Sequence, residues 1–138
     1  MISISEAFED QVQFTLNKVL FERVEPSSEN DPGIQVVTKD YINILTKNRE
    51  FMNIVLGRDI SFEPSGLFLI NVSFEITWKT KDKEAVQSAT NEEIIQAMLK
   101  EKTAFLSNMY SRISLLISQI TSTIGVPPLI TPGEMIMK

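Results

Sequence analysis

The sequence predicts an α+β fold in which a four-stranded antiparallel meander sheet packs on one long C-terminal helix, followed by a short extended tail. Four segments within the first 80 residues have strand-like alternation or are rich in β-branched residues. Residues 90–124 instead have the three-to-four-residue apolar spacing of a helix. We expect residues 1–138 to form a single domain, because a chain of this length buries about two thirds of its unfolded surface around one core.

The first two strands are predicted over residues 12–24 and 34–46, the second from its many β-branched residues. In the first strand the apolar residues lie at even positions before Asn17, whereas Val19 and Phe21 lie at odd positions after it. A strand with one buried face keeps its apolar residues on one parity. The change therefore predicts a bulge or twist near Asn17.

The third and fourth strands have the clearest alternation. Every second residue from Phe68 to Trp78 is apolar, and the intervening residues become polar. Residues 51–62 also have apolar residues at even positions, and Gly57 is expected to form a bulge or bend there. Because Glu63-Pro64-Ser65-Gly66 has the composition of a turn, the two strands should form an antiparallel hairpin.

The helix has clear start and stop signals. Thr90 and Glu93 have the spacing of a capping box, in which the threonine is the N-cap and the glutamate side chain reaches back. Gly125, followed by two prolines, ends the helical pattern. The segment has about 34 residues, more than twice the usual helix length, so a continuous helix and a helix interrupted near Lys102 both fit the pattern.

Composition excludes most catalytic chemistry. The chain has no histidine and no cysteine, so imidazole bases, thiol nucleophiles, disulfides and zinc sites with nitrogen or sulfur ligands are excluded. Asp40, Asp59, Glu63 and Glu75 have no spacing typical of an acid–base pair or a metal site, and the five glycines are isolated. We therefore expect no enzymatic activity, no catalytic residue, no metal and no cofactor.

The net charge is −5, which disfavours nucleic-acid binding. No segment reaches the ~18 apolar residues of a membrane helix, and the first residues lack the parts of a signal peptide, so we expect a cytoplasmic protein without membrane insertion. Residues 1–31 contain seven acidic and two basic residues. Two interpretations fit this acidic segment: a docking site for a basic partner, or a solubilising edge.

The second half of the predicted helix has few charges, since Arg112 is the only charged residue between Ser107 and Pro132. A surface helix of a monomer normally has a charged outer face. Here a ridge of serines takes that place, consisting of Ser107, Ser111, Ser114, Ser118 and Ser122. We interpret this serine ridge as an oligomer interface with a helix of a second copy, in a dimer or tetramer. The alternative is a mildly polar face exposed to solvent.

The tail after the helix is apolar, with most of its large side chains in residues 126–130 and 135–137. Two outcomes fit such a segment. It either packs back over its own sheet and helix, which is the commoner outcome, or lines an adaptable groove for extended apolar peptides.

Three segments resemble the SecB family of protein-export chaperones: QFTLNKVLFERVEP (13–26), LFLINVSFEITWK (67–79) and SRISLLISQITSTIGVPPLITPGEM (111–135). The resemblance implies a homotetramer and an ATP-independent holdase that binds unfolded or precursor polypeptides for export. Few residues follow the proline-containing segment, so the second helix of that family is expected to be short, within 134–138, or missing.

The resemblance also implies which residues bind partners. The client-binding residues would be Trp78, Tyr110, Leu115, Leu129, Ile130 and Met135. The nearest matches to the acidic residues that contact the translocase motor protein are Glu22 and Glu25. A second hypothesis is a homo-oligomeric scaffold or adaptor with the same fold, which binds one specific protein partner and holds no clients.

Overall fold

The computed structural model describes residues 2–25, 35–63, 66–101, 104–124 and 128–135. The elements in chain order are α1 (Ile4–Ala7), β1 (Phe8–Val24), β2 (Gln35–Lys47), β3 (Phe51–Glu63), β4 (Leu67–Thr80), α2 (Lys83–Ser88), α3 (Asn91–Lys100) and α4 (Ala104–Thr123). The α+β class is therefore confirmed. The strand ends agree with the predicted ends to within one residue, except that β1 begins four residues earlier. The short helices α1 and α2 were not predicted.

The four strands form one antiparallel sheet in the order β1-β4-β3-β2. β2, β3 and β4 are successive neighbours, as in a meander, and the predicted β3–β4 hairpin pairing is present. The centre of its predicted turn, residues 64–65, lies outside the described residues. β1 pairs with the edge of β4 that faces away from β3. The meander therefore comprises three strands, and β1 completes a Greek-key order.

The predicted irregularity at Asn17 is confirmed. Leu16 pairs with Phe74, and Lys18 pairs with the next residue of β4, Ser73, so Asn17 is an extra residue in β1. Its side-chain amide donates a hydrogen bond to the Ser73 hydroxyl at 3.0 Å. Because one residue is inserted, the apolar residues before and after Asn17 lie on the same face of the sheet.

The predicted bulge at Gly57 is wrong. β3 keeps its register there with Tyr41 of β2 and Ser73 of β4. A Cβ atom at this position would lie 2.5 Å from Cζ of Tyr41 and 2.9 Å from Cβ of Ser73. Glycine is therefore required because the side chain of Tyr41 crosses the backbone of β3.

The core lies between one face of the sheet and the helices. Even-numbered residues of β3 and β4 are buried against apolar residues of α3 and α4. At the end of β4, Trp78 stacks on Phe8 with ring centroids 4.4 Å apart and contacts Phe105 edge-on at 4.7 Å. Its indole N–H donates to the Glu9 carbonyl at 2.7 Å, so the polar end of this buried ring is satisfied.

The capping box is present. Thr90 Oγ1 accepts a hydrogen bond from the Glu93 N–H, and the Glu93 carboxylate accepts one from the Thr90 N–H, each at 3.1 Å. The bond from the Thr90 N–H to the carboxylate, with the nearby Thr90 hydroxyl, holds the pKa of Glu93 below its ordinary value of 4.5. α3 ends at Lys100 and Glu101 is a turn residue, so the helical pattern is interrupted there; the predicted point, Lys102, lies outside the described residues.

Candidate functional site

A buried ion pair connects the sheet to the C-terminal tail. Arg58 of β3 and Asp40 of β2 have fully buried side chains. Nε and Nη2 of Arg58 donate to the two carboxylate oxygens of Asp40 at 2.6 and 2.8 Å, which is the bidentate geometry of strong arginine–carboxylate pairs. The guanidinium also lies 5.2 Å from the ring centroid of Tyr110 on α4. The pair is held between the sheet and the helix.

The remaining donors of Arg58 bind residues 128–135, which we call the tail. Nη1 donates to the Thr131 hydroxyl at 2.9 Å and to the Pro132 carbonyl at 2.5 Å. Nη2 donates to the Glu134 carbonyl at 2.9 Å. Together with the two bonds to Asp40, these contacts give all five guanidinium N–H groups an acceptor.

Helix α4 holds the other side of the tail through three hydroxyl groups. Two serines donate to carbonyls of the tail, and one threonine accepts from an amide. The three bonds are Ser111 Oγ to Gly133 O at 3.1 Å, Ser114 Oγ to Thr131 O at 2.5 Å, and Leu129 N to Thr121 Oγ1 at 2.7 Å. Apart from the Thr131 hydroxyl, every tail atom in these bonds belongs to the main chain.

We call the surface formed by Asp40, Arg58, Ser111, Ser114 and Thr121 the tail cleft. Its components come from distant parts of the sequence, since β2 and β3 supply the ion pair and α4 supplies the hydroxyl groups. The side chains of Leu129 and Met135 pack partly against the core at the two ends of the tail, whereas Ile130 is 76% exposed.

Tyr110 lies beneath the tail cleft and is fully buried. Its hydroxyl donates to the Tyr41 carbonyl at 3.1 Å and lies 3.3 Å from the carbonyl of Gly57. Burial raises the pKa of Tyr110, because the ionised phenol would lose its hydration. The tyrosine thus stays neutral, and its ring packs against the guanidinium of the ion pair.

A second candidate surface is the helix side of β1. Phe14, Leu16, Val19 and Phe21 pair with buried residues of β4 and therefore lie on the same face of the sheet. We call these four residues the β1 apolar face. Each is 36–47% exposed, because the described helices cover β3 and β4 more than β1. One contact shields it in part, since the guanidinium of Arg112 lies 4.8 Å from the ring centroid of Phe14.

Neither a metal site nor a membrane span is found in the described ranges. In that part of the chain, no three Asp or Glu side chains are grouped so that they could hold a metal ion. None of the helices there is both long and apolar enough to cross a membrane.

Comparison with known proteins identifies the fold. No family model matches the sequence, and no curated protein matches it. A solved structure of the Mycobacterium tuberculosis SecB-like chaperone Rv1957, in complex with a ChAD peptide from the Rv1956 HigA1 antitoxin, matches with a TM-score of 0.60. The match covers 88% of each chain at 12% sequence identity. The chain has a SecB-like fold.

Within this SecB-like fold, the predicted client-binding residues lie in different environments. Trp78 and Tyr110 are core residues. Leu115 and Ile130 are exposed. The other two, Leu129 and Met135, are half-buried in the tail. The structure therefore brings Tyr110, Leu129, Ile130 and Met135 to the region of the tail cleft, and client binding by all six residues stays a prediction.

The predicted docking and interface residues are also distributed. Glu22 pairs with Leu69 on the face of the SecB-like sheet opposite the helices, Glu25 follows the end of β1, and both glutamates are exposed. On the serine ridge, Ser107 and Ser122 are exposed and Ser118 is half-buried, whereas Ser111 and Ser114 bind the tail. The middle of the ridge thus contacts main chain of the same copy, and self-association through the ridge stays a prediction.

The buried pair of Arg58 and Asp40 was not predicted from the sequence. The signal is present, because Arg58 is the only charged residue at the even, core-facing positions of β3. A charge at such a position needs a buried partner. The register then places Asp40 directly opposite Arg58.

Proposed function

We propose that the protein is an ATP-independent chaperone that holds unfolded or precursor polypeptides. The observation that carries this proposal is the β1 apolar face, a row of four large apolar side chains that are each exposed by more than a third. Exposed apolar patches of this kind mark sites of interaction with other polypeptides. The SecB-like fold supports the same conclusion, because the matched structure is described as a SecB-like chaperone with a bound peptide.

In this proposal the chaperone is cytoplasmic and acts as a homo-oligomer, a dimer or tetramer. β1 is an edge strand of 17 residues, and no strand of the described residues pairs with the outer side of its backbone. Ser107, Ser118 and Ser122 remain available on α4 for contact with a second helix. For a role in protein export, Glu22 and Glu25 would contact a basic surface of the translocase motor protein.

A scaffold or adaptor function is the second candidate, and the free edge of β1 favours it. An edge strand can bind one extended segment of a specific partner by adding it to the sheet. Such an adaptor would bind its own folded partner. It would show no preference for the unfolded form of an unrelated test protein over the native form.

The proposal is tested by the suppression of aggregation without ATP. A test protein is diluted from denaturant at near-stoichiometric amounts of the wild-type chain, and light scattering is followed. We expect wild type to suppress scattering and Leu16→Ser, on the β1 apolar face, to suppress it less. Leu45→Ser is the matched control, because Leu45 is also an exposed leucine, 57% exposed against 47% for Leu16, but lies on β2 at the opposite edge. Wild type that neither suppresses aggregation nor slows refolding would contradict the chaperone proposal.

Oligomeric state is measured on the same samples by static light scattering. The mass of wild type should be two or four times the 15.6 kDa mass of one chain. Ser118→Glu should lower this mass if the serine ridge is an interface. A monomeric wild type would overturn the oligomer part of the proposal and leave the chaperone part to the aggregation assay.

A further inference from the structure

The tail is bound as a peptide ligand would be. Four consecutive carbonyls, those of residues 131–134, accept hydrogen bonds alternately from α4 and from Arg58. Ser114 binds the first carbonyl and Ser111 binds the third, whereas Arg58 binds the second and the fourth. The chain bends at Gly133 and Glu134, and the alternation of donors places this bent segment between two walls, α4 on one side and Arg58 of the sheet on the other.

The contacts select main chain rather than side chains. Every residue offers a carbonyl, so most sequences can supply the four acceptors. The site restricts size at one position, because a Cβ atom on Gly133 would lie 3.1 Å from the Ser111 hydroxyl oxygen. Its charge is balanced internally, since Asp40 neutralises Arg58. The cleft therefore suits a bent segment with a small residue at the Gly133 position and has no reason to prefer acidic or basic sequences.

Apart from Thr131, which is buried and whose hydroxyl accepts from Arg58, the side chains of the tail contribute little to holding it. Ile130 is mostly exposed, and Leu129 and Met135 are only partly buried. Main-chain hydrogen bonds contribute modestly in net terms, because a released tail bonds to water instead. A second segment with the same main-chain geometry can therefore compete for the same donors.

We propose that the tail cleft is a binding site that reads the main chain of bent polypeptide segments, and that residues 129–135 occupy it until a segment of a bound polypeptide replaces them. This inference rests on the proposed chaperone function and adds the site and the competing segment. The partner is a stretch of an unfolded polypeptide that can adopt the same bend, with a small residue at the position equivalent to Gly133.

The test is a reversible covalent lock on the tail. In the double variant Ser111→Cys/Gly133→Cys, the two Cβ atoms are about 3.9 Å apart, which lies within the range of natural disulfides. The chain has no other cysteine, so no other intrachain disulfide can form. Oxidation should fix the tail in the cleft, and reduction should release it. The single variants Ser111→Cys and Gly133→Cys, treated identically, are the matched controls.

The first readout is the affinity for a permanently unfolded test protein, measured by fluorescence anisotropy. Oxidation of the double variant should weaken binding by about tenfold or more, because the locked chain loses its binding-competent fraction. Reduction should restore the affinity, and the affinity of the single variants should not change on oxidation or reduction. Equal affinity of the oxidised and reduced double variant would overturn the inference, while wild type would still bind and the proposed function would stand.

The second readout uses a labelled peptide with the tail's own sequence, PLITPGEM. It should bind the reduced double variant more tightly than the oxidised one. If wild type has no affinity for unfolded protein, the proposed function fails. Binding of this peptide then remains as the test of whether the tail cleft is a peptide site. Equal binding of the peptide to both redox forms would then refute the cleft as a peptide site.

Discussion

Removal of the charge on Asp40 should destabilise the protein strongly. The variant Asp40→Asn keeps the size of the side chain but leaves Arg58 without an anionic partner at a position that water does not reach. One oxygen of the carboxylate is replaced by an NH₂ group, so one guanidinium donor loses its acceptor. Breaking a buried ion pair in this way costs about 3–5 kcal/mol.

The expected shift in melting temperature follows from the length of the chain. With 138 residues and an unfolding entropy of about 2.1 cal/mol/K per residue, each 1 kcal/mol lowers Tm by about 3.4 °C. The loss of the ion pair should therefore lower Tm by about 10–17 °C. Folded domains of this size are stabilised by roughly 7–20 kcal/mol, so the variant should still fold at room temperature.

The assay is thermal and urea unfolding followed by circular dichroism. Asp10→Asn is the matched control, because Asp10 is an exposed carboxylate on β1, and surface substitutions change stability by about 0.5 kcal/mol or less. The apolar double variant Asp40→Leu/Arg58→Met should be more stable than Asp40→Asn, since it leaves no unpaired buried charge. A Tm of Asp40→Asn within about 3 °C of wild type would refute the role given to the ion pair.

Three further changes probe the helix cap, the sheet and the buried phenol. Thr90→Ala removes the N-cap of α3 and should lower the free energy of unfolding by about 1 kcal/mol, measured by urea denaturation. Gly57→Ala should cost about 1–3 kcal/mol, because the new methyl group meets the ring of Tyr41. The raised pKa of Tyr110 means that the unfolded chain ionises first, so stability should fall as the pH rises above the ordinary value of 10.0, and Tyr110→Phe should reduce this fall.

Each of these three predictions has an outcome that contradicts it. Unchanged stability of Thr90→Ala would show that the cap bonds are replaced by water at no cost. Gly57→Ala should be rescued in part by Tyr41→Ala, and equal losses in both backgrounds would exclude the clash with the ring. For Tyr110→Phe, a slope of stability against pH identical to that of wild type between pH 9 and about 11 would show that the phenol is not responsible.

The alternation of apolar residues predicted the strands and the helix face well, because burial of one face leaves a period in the sequence. The extra residue at Asn17 is a good example, since a half-buried strand that changes parity must contain an inserted residue or turn its other face to the core. The place of β1 in the sheet was not predictable in the same way. Parity tells which face of a strand is buried and does not tell which strand lies beside it.

The site was predicted less well than the fold. Serines at helical spacing look the same whether they face a second helix or the main chain of the tail, because a hydroxyl group can donate to either. Ser111 and Ser114 bind tail carbonyls, which no side-chain pattern encodes. The rings of Trp78 and Tyr110 are buried in the core and their polar atoms donate to backbone carbonyls, an environment that the sequence pattern does not reveal, and client binding by both residues stays a prediction.

Equilibrium binding to one protein in two states tests the central claim most directly. A fluorescently labelled test protein is prepared in a permanently unfolded form and in its native form, and each is titrated with the wild-type chain in the absence of ATP. If the chain is a chaperone for unfolded polypeptides, the unfolded form should bind saturably and the native form should not bind. Absence of binding to the unfolded form, or equal binding of both forms, would contradict the chaperone function.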